Sequence, residues 1–185
     1  MAGTTERLPY RATQSAAAYD KLSELPVVAL LDNIRSLYNV GAFFRTADGT
    51  RLRKLYLSGI TGCPPHQGIS KTALGAEANV AWEHAADPVA LIRRLRAEGC
   101  EIAAVETSVQ PVDLFDWDPR FPVCLIFGNE TDGIQPELSA LADIYVRIPM
   151  LGLKYSLNVA TAGGVAIYEL LRKYRRLFVQ KPSRS

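Results

Sequence analysis

From Leu25 onward, apolar runs of strand length alternate with segments of helical period, and this rhythm constrains the fold more than any other feature. A chain built this way stacks βαβ units into a mainly parallel sheet, so we expect an α/β class with helices on both faces. Strand-length runs fall at residues 27–31, 54–57, 102–105, 123–127 and 144–148, with a weaker one at 79–82. Helical periods fall at 40–48, 88–98 and 157–177, with short segments at 71–76 and after Pro136. Pro88 suits a first helical turn and Gly99 a stop. Asn39 and Ser70 are the expected caps of their helices. The last helix is expected to place Leu157, Val165, Leu170 and Leu171 near one stripe.

At 185 residues the chain suits one domain, which we place at 25–178. Residues 1–24 are polar and read as an arm, and 179–185 as a disordered basic tail. Hydrophobic residues make up 48% and charged residues 22%, enough to bury a core without staples. The cysteines Cys63, Cys100 and Cys124 are odd in number and lack a C-x-x-C pair, which argues against a disulfide framework or zinc site. Cys100 and Cys124 read as core. His66 and His84 have no cysteine or carboxylate at ligand spacing, so no metal is expected. No run approaches the ~20 apolar residues of a membrane span, and the first eleven residues have no signal-peptide core. A cytoplasmic protein without a membrane partner is the expectation. Net charge is only +2. The basic clusters Arg51, Arg53, Lys54 and Arg172, Lys173, Arg175, Arg176, Lys181, Arg184 suit phosphates or, equally, solvated helix ends.

Three polar, Gly-bearing loops follow three of the strands. In open α/β sheets ligands bind outside such carboxyl ends. The first runs through Asn39 and Gly41 to Arg45, and Gly41 lets another backbone come close. The second is Phe127-Gly128-Asn129-Glu130-Thr131-Asp132-Gly133, in which Glu130 and Asp132 suit a helix start. The third is Ile148-Pro149-Met150-Leu151-Gly152-Leu153-Lys154-Tyr155-Ser156-Leu157-Asn158-Val159. Ser156 is the expected N-cap there, and Asn158 is a poor helix former in a first turn. Gly163-Gly164 inside the following helix costs about 1 kcal/mol per residue relative to Ala, which close approach by another backbone explains. A dinucleotide fingerprint, a nucleophile elbow and a metalloprotease helix are all lacking.

The three loops resemble, in order, the N-x-G-x-x-x-R, F-G-N-E-x-x-G and I-P-M-x-G-x-x-x-S-L-N-V motifs of the TrmH/SpoU family in the SPOUT class of RNA methyltransferases. Lys71-Thr72-Ala73-Leu74-Gly75-Ala76-Glu77 is similar to a stretch found in some members, and Ala160 stands where relatives often have Ser. The resemblance runs from about Leu25 to Tyr174. It implies a C-terminal trefoil knot, a homodimer, and transfer of a methyl group from S-adenosylmethionine to a ribose 2′-hydroxyl of tRNA or rRNA. It implies cofactor contacts at Glu106, Thr107, Gly128, Ile148, Met150 and Leu157. It implies a catalytic set of Arg45, Asn39, Glu130, Ser156 and Asn158, with Arg45 brought near the partner's cofactor site.

No motif holds a histidine, so the usual general base is missing. A guanidinium loses its proton only above pH ~12. Arg45 therefore suits a bidentate clamp on the target phosphate, with Asn39 supporting it and the other polar residues completing the network. Three alternatives stay open: a catalytically inactive RNA-binding protein of this fold, a small-molecule α/β enzyme, and a methyltransferase acting on bases.

Overall fold

A computed structural model describes residues 24–107 and 110–179. The expected arm and tail lie outside these residues, save their innermost positions. Seven strands form one sheet: β1 (Leu25–Asp32), β2 (Leu52–Ser58), β3 (Trp82–Ala85), β4 (Glu101–Val105), β5 (Val112–Asp113), β6 (Val123–Phe127) and β7 (Ile144–Arg147). Their order is β3-β2-β1-β6-β4-β7-β5, and every pairing is parallel. The helices are α1 (Leu37–Thr50), α2 (Gln67–Ala73), α3 (Pro88–Ala97), α4 (Pro136–Ser139) and α5 (Val159–Val179).

Side chains alternate across a strand, so a fully apolar strand feeds two cores. In β1, Val27, Ala29 and Leu31 meet Phe43 and Phe44 of α1, Ile69 of α2 and Ile167 and Leu170 of α5. Val28 and Leu30 face the other way, toward Leu91, Ile92 and Leu95 of α3 and Leu138 of α4. Helices thus cover both faces, as the strand composition demands. Each large side chain buried this way contributes about 1.5–3 kcal/mol. Cys100 and Cys124 are buried in the second core.

The strands fall close to their expected places, except that β3 begins at Trp82, where the 79–82 run ends. β5 has only two residues and no apolar run to announce it. Helix starts differ more. Ser36, not Asn39, caps α1: its hydroxyl accepts from Asn39 N at 3.3 Å, which leaves the Asn39 side chain for other partners. His66, not Ser70, caps α2 by accepting from Gly68 N at 3.0 Å. Asn158, not Ser156, starts α5, its Oδ1 accepting from Ala160 N and Thr161 N at 3.0 and 3.2 Å. Leu157 therefore lies before α5 and not on its apolar stripe. Residues 129–133 form a tight turn closed by an Asn129–Gly133 bridge, so Glu130 and Asp132 do not open a helix.

Gly41 does admit a neighbour, since a Cβ there would stand 2.3 Å from Ile69 O of α2. Gly163 admits a ring instead of a backbone: a Cβ would stand 2.1 Å from Phe43 Cε1. Gly164 has nothing within 4 Å. Four residues of the two basic clusters are engaged within the fold. Arg53 pairs with Glu24, Lys54 with Glu83 and Arg172 with Glu169, while Lys173 Nζ donates to Leu114 O at 2.7 Å and to Trp117 O. Arg172, hydrogen-bonded to Glu169, holds that carboxyl below its ordinary value.

The adjacent glycines of α5 give a paired prediction. Gly163→Ala forces a methyl group into the fully buried Phe43 ring and should destabilise by about 1–3 kcal/mol. Gly164→Ala should stabilise by up to about 1 kcal/mol. Urea unfolding of both variants measures the contrast.

Candidate active-site cleft

The carboxyl ends of β4, β6 and β7 open onto a cleft of about 380 Å³. Val105, Phe127, Val146, Ile148 and Leu157 give it apolar walls, and Glu106, Glu130, Asp132, Arg147, Ser156 and Asn158 bring polar groups to it. All six positions expected to contact a cofactor line it: Glu106, Thr107, Gly128, Ile148, Met150 and Leu157. Of the expected catalytic set, Glu130, Ser156 and Asn158 line it directly.

Asn39 stands one hydrogen bond behind the wall. Its Nδ2 donates to Glu130 Oε1 at 2.9 Å, and its Oδ1 accepts from Asn158 Nδ2 at 3.1 Å. The three loops are thereby joined side chain to side chain. Glu130 also accepts from the backbone N–H groups of Arg35 and Ser36 at 3.0 and 3.1 Å. Desolvation is the largest single influence on Glu130 and raises its pKa. The hydrogen bonds from Arg35, its own amide, Asn39 and Ser36 together outweigh that, and the carboxyl sits below its ordinary value. Glu106 is the opposite case. Partial burial pushes it up, and one hydrogen bond from the Ile134 amide only partly offsets this.

Arg45 is not part of this cleft in the single chain. It lies exposed on α1, and no described residue gives it a hydrogen bond or ion pair. Ser156 is exposed on the cleft rim.

Asn129 is a residue the sequence reasoning passed over. Its Nδ2 donates to Asn33 O at 2.8 Å, and its Oδ1 accepts from Thr131 N and Asp132 N at 2.8 and 3.1 Å. It therefore shapes its own turn and ties that turn to the loop after β1. Thr61 ties the same loop from the other side, accepting from Ile34 N and donating to Leu31 O, both at 2.9 Å. A short amide directly after a strand is the signal that would have singled Asn129 out. Gly128 is needed here too, because a Cβ would stand 2.2 Å from the Gly133 carbonyl carbon.

A parallel sheet covered on both faces, with polar loops converging outside its strand ends, defines an open α/β ligand-binding domain. Residues 26–168 match the sequence profile of the SpoU rRNA Methylase family. A tRNA (guanosine(18)-2′-O)-methyltransferase of Aquifex aeolicus is 31% identical over 149 residues, which is 80% of this chain and 69% of that protein. The structure of an AdoMet-bound rRNA methyltransferase from Sinorhizobium meliloti superimposes with a TM-score of 0.74 at 31% identity, covering 81% of this chain and 56% of that one. The A. aeolicus TrmH/SpoU tRNA modifying enzyme superimposes with a TM-score of 0.76 at 29% identity, covering 88% and 82%. The chain belongs to the SpoU rRNA Methylase family, the TrmH/SpoU group its motifs resemble.

The Glu130 carboxylate generates a pH-dependent prediction. Its lowered folded pKa gives stability that is present above its unfolded value, about 4.3, and is lost as pH falls through the folded value. Glu130→Gln should therefore cost about 1 kcal/mol near neutral pH, and the gap should shrink as the wild type is acidified below its usual carboxylate range. Chemical denaturation at a series of pH values follows this gap.

Proposed function

We propose that this chain transfers a methyl group from S-adenosylmethionine to a ribose 2′-hydroxyl of tRNA or rRNA. The observation that carries this reading is the joining of three loops by Asn158, Asn39 and Glu130 around a cleft lined by every expected cofactor position. Its volume lies in the range of small-molecule sites, and its mixture of apolar walls and few polar groups suits an adenosyl ligand. Val105, Phe127, Ile148 and Leu157 would hold the adenine, and Glu106 and Thr107 the sugar hydroxyls. When bound, this cofactor supplies an electrophilic methyl group on a sulfonium centre.

The chain's own part is positioning. Holding two reactants in line lowers a barrier by roughly 7–11 kcal/mol in favourable cases. Ser156 and Asn158 stand at the mouth, where a ribose hydroxyl would enter. Glu130 and Asn39 set the position of Asn158 from behind. Arg45 clamps the phosphate beside the target ribose.

Arg45 reaches a cleft only across a homodimer. Leu151, Leu153 and Tyr155 in the loop beside the cleft are 100%, 95% and 87% exposed, and exposed apolar groups this close together mark an interaction surface. A two-fold dimer covering this loop would bring Arg45 of one subunit to the other's cleft. The trefoil knot rests on the family resemblance, with the segment from Ile148 to Asn158 as the threaded part.

Incubating the protein with S-adenosylmethionine and RNA, then digesting to nucleosides, tests the reading. A 2′-O-methylated nucleoside is expected, and a base-methylated product would overturn the ribose assignment. Calorimetry should show cofactor binding, and its absence would leave the inactive reading standing. Arg45→Lys should lower turnover about tenfold or more, and near-normal turnover would overturn the clamp. Mixing Arg45→Ala with Asn158→Ala subunits should restore about a quarter of wild-type activity if Arg45 works across the dimer, and none if it works within one chain.

A further inference from the structure

The charged residues of this protein are not spread evenly between paired and free. Among the described residues the ion pairs engage Arg53, Lys54, Arg96, Arg120, Arg172 and Lys173, and none of these lines the cleft. Two arginines beside the cleft behave differently. Arg147 closes β7 and lines the cleft, and Arg35 lies in the loop whose backbone holds Glu130. Both are exposed, and no described carboxylate pairs with either.

Acids are close at hand, so the lack of pairing has a cause. Glu130 is occupied by two backbone amides and Asn39, and Glu106 by the Ile134 amide. These two glutamates are turned inward to hold loops, and the guanidinium groups are left outward with their donors unspent. β1 and β7 stand three strand spacings apart in the sheet, about 14 Å, with β6 and β4 between them. The two arginines therefore leave the sheet on either side of the β6 and β4 strand ends, Arg147 in the cleft lining and Arg35 next to Glu130 of that lining.

We propose that Arg35 and Arg147 form a phosphate-binding pair that grips the RNA backbone on either side of the target ribose. This rests on the RNA methyltransferase reading above. A planar guanidinium matches a phosphate bidentately, and two such contacts beside the cleft fix the register of a strand without reading its bases. Gripping the strand at both arginines presents one ribose to the cleft and holds its neighbours away.

The test measures RNA binding by fluorescence anisotropy from about 50 to 200 mM salt, a range over which phosphate contacts change affinity steeply. It uses the full chain with a labelled tRNA transcript and a labelled single-stranded RNA. Arg35→Gln and Arg147→Gln should each weaken binding several-fold and reduce the slope of log affinity against log salt by about one. Arg93→Gln, on the exposed side of α3, should leave the slope unchanged. S-adenosylmethionine affinity by calorimetry should stay as in wild type for Arg35→Gln, which lies outside the cleft lining. Unchanged slopes for Arg35→Gln and Arg147→Gln would overturn the proposal. So would a tenfold loss of cofactor affinity in Arg147→Gln, which would assign that arginine to the cofactor's carboxylate. Failure of the wild type to bind either RNA would instead overturn the RNA methyltransferase reading, and this proposal with it.

Discussion

One carboxylate, Glu130, holds the ligand-binding end of the molecule together. It sits on the turn after β6, yet its partners belong to the loop after β1 and the first turn of α1. Asn39 passes the connection on to Asn158 at the head of α5. Three segments far apart in sequence thus share one hydrogen-bonded chain. An exposed carboxylate is ordinarily a weak fastener. This one is strengthened because three donors converge on it, two of them backbone amides that have no competing partner in the loop.

The same division of labour runs through the sheet. Below the strand ends, two apolar cores fix the strands and leave no choice of register. At the strand ends, polar side chains take over. Asp32 is buried at the end of β1 and accepts from the Ser58 hydroxyl at 2.7 Å and from Asn33 Nδ2 at 3.1 Å. A buried carboxylate without such donors would cost several kcal/mol. These bonds let the chain leave the core and turn into loops without orphaned polar groups. The cleft is therefore continuous with the fold, its floor tied by these hydrogen bonds to the strands beneath it.

Much of this was legible in the sequence, and for identifiable reasons. β1, β4 and β6 are buried on both faces, so continuous apolar runs betray them directly. β5 has nothing to bury and could not be seen. Helix starts were misread wherever two capping side chains compete within a few residues. Ser36 and Asn39, and likewise Ser156 and Asn158, are all plausible caps. Tertiary hydrogen bonds decide between them, drawing Asn39 to Glu130 and leaving the Asn158 Oδ1 to cap the start of α5. The expected site residues that line the cleft came from the three motifs and, for Glu106 and Thr107, from the family resemblance, while Val105 and Arg147 were not expected there. The linkage among the motif residues was not legible, because Asn39–Glu130 and Asn158–Asn39 span 91 and 119 residues, distances at which no local pattern speaks. Asn129 was missed for the same reason, since its most telling partner, Asn33 O, is 96 residues away.

The fate of the two cleft glutamates bears on the chemistry. A carboxylate that takes a proton during reaction needs an elevated pKa and free acceptor sites facing the substrate. Glu130 lacks the first, since its hydrogen bonds lower its pKa, and most of its acceptor capacity is taken by Arg35, Ser36 and Asn39. Its contribution is to hold Asn39 and the loop after β1. Glu106 has the raised pKa, but its carboxylate accepts from the Ile134 amide and lies against the turn at Gly133. Neither glutamate, then, combines a raised pKa with a carboxylate free of the turn's hydrogen bonds, and Asp132, exposed on the cleft wall, is the remaining acid there. Beside it stand Ser156, Asn158 and the unpaired arginines, groups suited to orienting a polar partner and not to removing a proton. That assortment favours a reaction driven by alignment of two bound partners, with the proton of the attacking hydroxyl passing to water or to the phosphate that Arg45 is proposed to hold.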